Sequence, residues 1–155
     1  MATVTRTHDF DAIYREDGDR LWRTMYAFAG GRRDIADDAT AEAFARALEH
    51  EATIRDPVPW LYRTAFRVAA AELKRPRRIE PFAPPLVEQH DADLSRSLAK
   101  LSPMQRASVY LHYIADLPVR DVATLTGTSA AAVKVHLFRG RERLRSLLGE
   151  EEEQE

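Results

Sequence analysis

The stretch VRDVATLTGTSAAAVKVHLFRGRERL, residues 119–144, reads as two helices around a tight turn. Pro118 precedes the first helix, Asp121 lies in its opening turn, and Val122, Ala123 and Leu125 give it a face to bury. Thr126-Gly127-Thr128 breaks the pattern, glycine being the residue that enters a left-handed turn at least cost. Ser129 is placed to cap a second helix, its hydroxyl accepting from amides of the first turn. Along that helix Val133, Leu137, Gly140 and Leu144 fall at i, i+4, i+7 and i+11, a single apolar stripe. Gly140, with no side chain, suits a close approach to the first helix. The opposite face shows Ala130, Ala131, Lys134, Val135, Phe138, Arg139 and Arg141. Small residues at a helix tip with cations beyond them fit the major groove, the tip meeting base edges and the cations phosphates. Two ordinary core helices would share the apolar spacing. Phe138, off the stripe and among cations, argues for the helix-turn-helix instead.

Composition bounds the remainder. At 155 residues the chain holds one domain or two small ones. It has no cysteine, which excludes a disulfide framework, a thiolate metal site and a cysteine nucleophile. The opening MATVTRTHDF has no apolar run and no stretch approaches a membrane span, so a soluble, cytoplasmic protein is expected. The formal charge of −2 conceals an uneven distribution, because residues 150–155 hold five carboxylates and leave the preceding body net positive. Residues 63–78 carry six cations against Glu72, and residues 134–145 carry five against Glu142. Two basic patches far apart in sequence are the footprint of nucleic-acid binding.

Taken in order, Phe10, Ile13, Tyr14, Leu21, Trp22, Met25 and Phe28 recur at helical spacing, and Gly30-Gly31 ends that helix. A second helix is expected over residues 35–50, with Ala39, Ala43, Phe44 and Ala47 inward and Asp37, Asp38 and Glu42 forming an acidic face. Acid in a first turn complements the helix dipole, and the same face would suit a basic partner. Residues 54–59 read as a loop held extended by Pro57 and Pro59. A third helix over residues 60–75 puts Leu61, Ala65, Val68, Ala69 and Leu73 inward and leaves Arg63, Arg67, Lys74 and Arg75 for the surface. With Trp60, Tyr62 and Phe66 nearby, that combination of cations and flat rings is the one single-stranded nucleic-acid sites use. Four of the eight prolines fall between positions 76 and 85, marking a linker whose roughly 17 residues reach about 55–60 Å when extended. Beyond it a short helix ends near Lys100. Ser102, Pro103 and Gln105 then form a capping-box start for a helix to Ala115 that buries Ala107, Tyr110, Leu111 and Ile114. The acidic tail reads as disordered, solvating sequence.

Together these segments resemble the extracytoplasmic-function class of bacterial sigma factors, over nearly the whole chain. IADDATAEAFARAL is similar to that family's polymerase-clamp-binding helix, and PWLYRTAFRVAAAELKR to its melting and minus-ten-recognition helix. LSPMQRASVYLHYIADLPVRDVATLTGTSAAAVKVHLFRGRERL is similar to its minus-thirty-five-binding region. The resemblance implies an all-α chain of two small domains. These are a region-2-like bundle over 1–76 and a region-4-like helix-turn-helix domain over 94–149, with a linker over 77–93 and an acidic tail over 150–155. It implies a subunit that directs core RNA polymerase to promoters and helps open them, with no catalytic residue, metal or cofactor. Asp38 and Glu42 fall where the family meets the clamp helices of the large polymerase subunit, whose flap is a further expected contact. Lys134, Val135, Phe138, Arg139 and Arg141 fall on the duplex-reading helix. Arg63 and Arg67 fall on the helix facing the minus-ten element, beside a base-capturing loop at 54–58. An anti-sigma factor is a further class of partner the resemblance allows. The chain departs from the family pattern at Ala41, Arg67, Ala71, Val135 and His136, which bears on promoter choice.

Two other classes deserve comparison. A stand-alone dimeric helix-turn-helix regulator would share the C-terminal motif but has no use for the acidic helix. An enzyme has little to work with: Asp37, Asp38 and Glu42 are a carboxylate group with no histidine at ligand spacing, since His8, His50, His90, His112 and His136 are scattered.

Overall fold

The computed structural model describes residues 8–75 and 96–153, with side chains as far as Gly149. Asp9 starts the fold, its carboxylate accepting from the Ala12 amide at 3.1 Å and so capping α1, Phe10–Phe28. Gly30 and Gly31, at φ 69° and 88°, turn the chain where a side chain would strain it. It re-enters a helix as α2, Arg33–Glu49. Ala36, Ala39, Ala43 and Ala47 are fully buried along α2, and these small residues let it lie close against α1 and against α3, Pro57–Leu73. The start of α3 corrects the sequence reading, which kept residues 57–59 in an extended loop. Both prolines sit in the first turn, where the missing N–H has no helical partner to lose. Tyr14 and Trp22, expected on the inner face of α1, are respectively exposed and half-buried.

In the C-terminal half the capping box is present: Ser102 Oγ accepts from the Gln105 amide at 3.3 Å, and Gln105 Oε1 from the Ser102 amide at 3.2 Å. It opens α4, Pro103–Val109. The expected helix to Ala115 instead widens into a π-turn over Tyr110–Ile114, closed by the Ala115 amide on the Tyr110 carbonyl at 2.9 Å. The extra residue per turn rotates the chain's phase, and Ile114, expected inside, is 56% exposed. Then come α5, Val119–Thr126, and α6, Ala130–Glu153. The first residues of the acidic tail continue α6 rather than forming the expected disordered segment. Glutamate is a good helix former, and buried Leu147 anchors the turn before it.

Every regular element among the described residues is helical. The linker over 77–93 lies outside them. The two halves it joins pack together, α1 against α4 and α3 against α5, and their buried residues form one continuous cluster. Arg106 crosses between them. It is 7% exposed, and among the described residues its partners are backbone carbonyls rather than a carboxylate. Its guanidinium donates to the Phe28 carbonyl at the C-terminal end of α1 through Nε (3.0 Å) and Nη2, and to Ala99 and Leu101 at 3.0 and 2.8 Å through Nη1. Carbonyls at a helix C-terminus carry partial negative charge, which is what a buried cation needs. Tyr110 adds to the same contact, its hydroxyl pushed above its ordinary range by burial and opposed by Arg23 and Arg20 of α1.

Candidate nucleic-acid interface

The α5–α6 turn is built by short-range chemistry. Gly127 closes α5 in the left-handed conformation at φ 69°. Thr126 Oγ1 donates back to the Val122 carbonyl at 2.7 Å and meets the Thr128 hydroxyl at 2.9 Å. Ser129 Oγ accepts from the Ala132 amide at 3.1 Å, starting α6 as its position suggested. Val133, Leu137 and Gly140 are buried and Leu144 is half-buried against the core, which fixes the rotation of the helix. Gly140 makes its close approach to α4, not to α5 as expected. A Cβ there would lie 3.0 Å from Val109 Cγ2, with Gln105 Cβ and Leu101 Cδ1 next nearest.

That rotation leaves Ala130, Ala131, Lys134, Val135, Phe138, Arg139 and Arg141 exposed. Arg141 reaches back to the Tyr113 hydroxyl, so one of the expected DNA contacts also ties α6 to the π-turn. Arg63 and Arg67 are exposed on α3 and lie beside the helix-turn-helix. The stem of Arg63 would stand 3.4 Å from a Cβ on Gly127. Arg67 borders an apolar cleft with Phe28, Phe66, Ala70, Met104 and Thr126. Residues assigned to two separate DNA elements therefore share one side of the molecule here.

The acidic face is separate. Asp37, Asp38 and Glu42 are exposed on α2. Glu42 is paired with Arg46 at 2.8 Å, and Asp37 accepts from the Trp22 indole N–H at 2.7 Å. Asp38, Ala41, Glu42, Ala45 and Arg46 line a shallow groove with Val68 and Glu72 of α3. At the start of α2, a hydrogen bond from Arg32 is the main force holding the Asp34 carboxyl below its usual range. The sequence reading took Trp22 only as a core position of α1 and gave Arg106 no role. A cation at position 106, one residue before Ala107 on the buried face of a capped helix, was the available signal for the second.

The family model for sigma-70 region 4 matches residues 91–144. The ECF RNA polymerase sigma factor SigE of Mycolicibacterium smegmatis is 29% identical over 161 residues, covering 90% of this chain. RNA polymerase sigma factor SigV of Bacillus subtilis is 26% identical over 144 residues, covering 85% of this chain and 86% of SigV. Residues 91–144 thus match sigma-70 region 4, and most of the chain is similar to RNA polymerase sigma factors. It spans 61% of the length of the mycobacterial SigE. RNA polymerase sigma factor CarQ of Myxococcus xanthus is 30% identical over 106 residues, which are 60% of this chain and 61% of CarQ. The fold of the chain matches that of Bartonella quintana RpoE in its complex with the anti-sigma factor NepR. The TM-score is 0.70 at 18% identity, over 91% of this chain and 97% of RpoE. No described helix is long and apolar enough to cross a membrane.

Proposed function

We propose that this chain is a promoter-specificity subunit that binds core RNA polymerase in the cytoplasm, directs it to particular promoters and helps open them. One observation carries the reading: a single helical fold presents both an exposed acidic face on α2 and a recognition helix with cations along its outer side. A stand-alone DNA binder has use for only the second. The chain contributes binding energy and no chemical step, so no residue is assigned a catalytic role.

The division of labour follows the two halves. Asp38 and Glu42 dock on the clamp helices of the large polymerase subunit, and the C-terminal half meets its flap. Lys134, Val135, Phe138, Arg139 and Arg141 engage the upstream duplex element. Arg63 and Arg67, with the loop before α3, hold the downstream element as it unpairs, where a base is stabilised in a pocket only once unstacked. Two elements separated by two to three turns of duplex lie about 70–100 Å apart. Arg63 cannot serve one while its stem rests against the turn that serves the other. Promoter engagement therefore separates residues 1–76 from 94–149 about the linker at 77–93, breaking the Arg106–Phe28 contact. The packed arrangement is the form available to a sequestering partner, and the NepR complex of the structural relative supports an anti-sigma factor as a partner class.

Co-sedimentation with core polymerase tests the docking assignment. Wild-type chain should co-migrate with core, and Asp38→Lys, which turns a docking carboxylate into a cation facing a basic surface, should not. Equal co-migration of both would remove α2 from the interface.

A further inference from the structure

The outermost line of α6 carries a feature that phosphate binding does not require. Ala131, Lys134, Val135 and Phe138 fall at i, i+3, i+4 and i+7, and all four are exposed. Three are apolar, with Val135 45% and Phe138 58% exposed. They take no part in the core, which α6 meets through Val133, Leu137 and Gly140 on its other side. Cations flank the line at Arg139, Arg141 and Arg143, all exposed, in position to hold the phosphates on either side of a groove. An apolar line framed by cations has one complement on a duplex.

We propose that Val135, with Ala131 one turn nearer the helix tip, reads thymine in the upstream promoter element through its C5 methyl group. This rests on the assignment of α6 to the major groove. In that groove the thymine methyl is the one alkyl group that projects from the base edges; the other prominent groups there are donors or acceptors. A valine pressed on a donor or acceptor would strip its water and return no hydrogen bond. Lys134 lies between the two apolar residues and donates only, so the neighbouring base it matches best is guanine, which alone presents two acceptors, O6 and N7, on one edge. The element read by this face thus pairs thymine with an adjacent guanine step.

The test uses core polymerase loaded with the full chain. Duplexes randomised in the upstream element are selected for binding. Each thymine of the selected element is then replaced singly by uracil, which removes the methyl and keeps the base pair. Uracil at one or two positions should weaken binding about fourfold, the worth of one methyl withdrawn from apolar contact. Val135→Ala should bind the thymine and uracil versions of one such position equally, while its response at the other positions stays that of wild type. Being exposed, the substitution should leave the melting temperature where it was. Uracil tolerated at every position, a uracil penalty unchanged in Val135→Ala, or a selected element without thymine would each overturn the inference. If the loaded polymerase selects nothing while the free chain selects a palindromic site, the sigma assignment fails. The uracil scan on that site then decides the methyl readout by the same criteria. No enrichment in either format overturns both.

Discussion

Gly140→Ala is the sharpest stability test, because two effects of known sign oppose each other at one atom. In an exposed helix interior, replacing glycine by alanine gains about 1 kcal/mol. Here the new Cβ would stand 3.0 Å from Val109 Cγ2, where carbon atoms prefer about 3.5–4.0 Å. Val109 is buried in α4. A β-branched side chain in a helix has essentially one χ1 rotamer, so it cannot swing aside, and α4 or α6 must shift. Overpacking of this kind costs about 1–3 kcal/mol, which outweighs the propensity gain. Gly140→Ala should therefore destabilise by about 1 kcal/mol, lowering the melting temperature by about 2–4 °C for a chain of this length. In a Val109→Ala background the clash is gone and the same substitution should raise stability by about 1 kcal/mol. The pair thus couples by about 2 kcal/mol in a double-mutant cycle followed by circular dichroism. An equal rise in melting temperature in both backgrounds would refute the close approach of α6 to α4. Since that contact sets the rotation of the recognition helix, the single variant should also lose promoter affinity and the double variant recover it.

Three further outcomes follow from particular side chains. Arg106→Met leaves the Phe28, Ala99 and Leu101 carbonyls without their buried donor and should cost about 3 kcal/mol in chemical denaturation; an unchanged midpoint would show that the guanidinium is not what joins the halves. Ser108 is fully buried and its hydroxyl finds no partner among the described residues, so Ser108→Ala should stabilise by about 1 kcal/mol; a loss of stability would reveal a hydrogen bond made by that hydroxyl. Asp34 is held ionised by Arg32, but the pair is solvent-exposed. A carboxyl with a depressed pKa stabilises the fold above its unfolded value and loses that contribution as pH falls through its folded value. Arg32→Ala should thus lower stability at pH 7 by less than about 1 kcal/mol and flatten the acid limb of the pH–stability curve below about pH 4 by the same amount, the two proteins converging once Asp34 is protonated; an identical acid limb in both proteins would show the pair to be inert.

What could be read from the sequence was what short-range chemistry decides. Gly127, Ser129 and the Ser102–Gln105 box act over three residues, and each forms the turn or cap its spacing predicted. The burial of α6 followed from periodicity alone. Residues 57–59 misled because proline favours both an extended loop and a first helical turn, and only packing of the following helix chooses. The π-turn at Tyr110–Ile114 was hidden because an added residue per turn leaves no mark in composition. Arg106 and Trp22 act on residues 78 and 15 positions away, and no local pattern encodes such a partner. The exposure of Lys134, Val135, Phe138, Arg139, Arg63 and Arg67 was likewise legible, but not the adjacency of the two groups, which depends on how the halves dock.

Run-off transcription with core polymerase on matched duplex and pre-opened templates tests the central claim most directly. Core with wild-type chain should initiate at one promoter on duplex DNA where core alone does not. Arg63→Ala and Arg67→Ala should fail on the duplex and recover much of their activity when the melting region is supplied mismatched, because their proposed partner is the strand as it opens. Arg139→Ala should recover only in part, since its duplex contact is still missing, and Asp38→Lys should stay inactive on both templates for want of bound polymerase. Transcription from the pre-opened template by Asp38→Lys at the wild-type level, or no chain-dependent initiation on any duplex, would contradict the account.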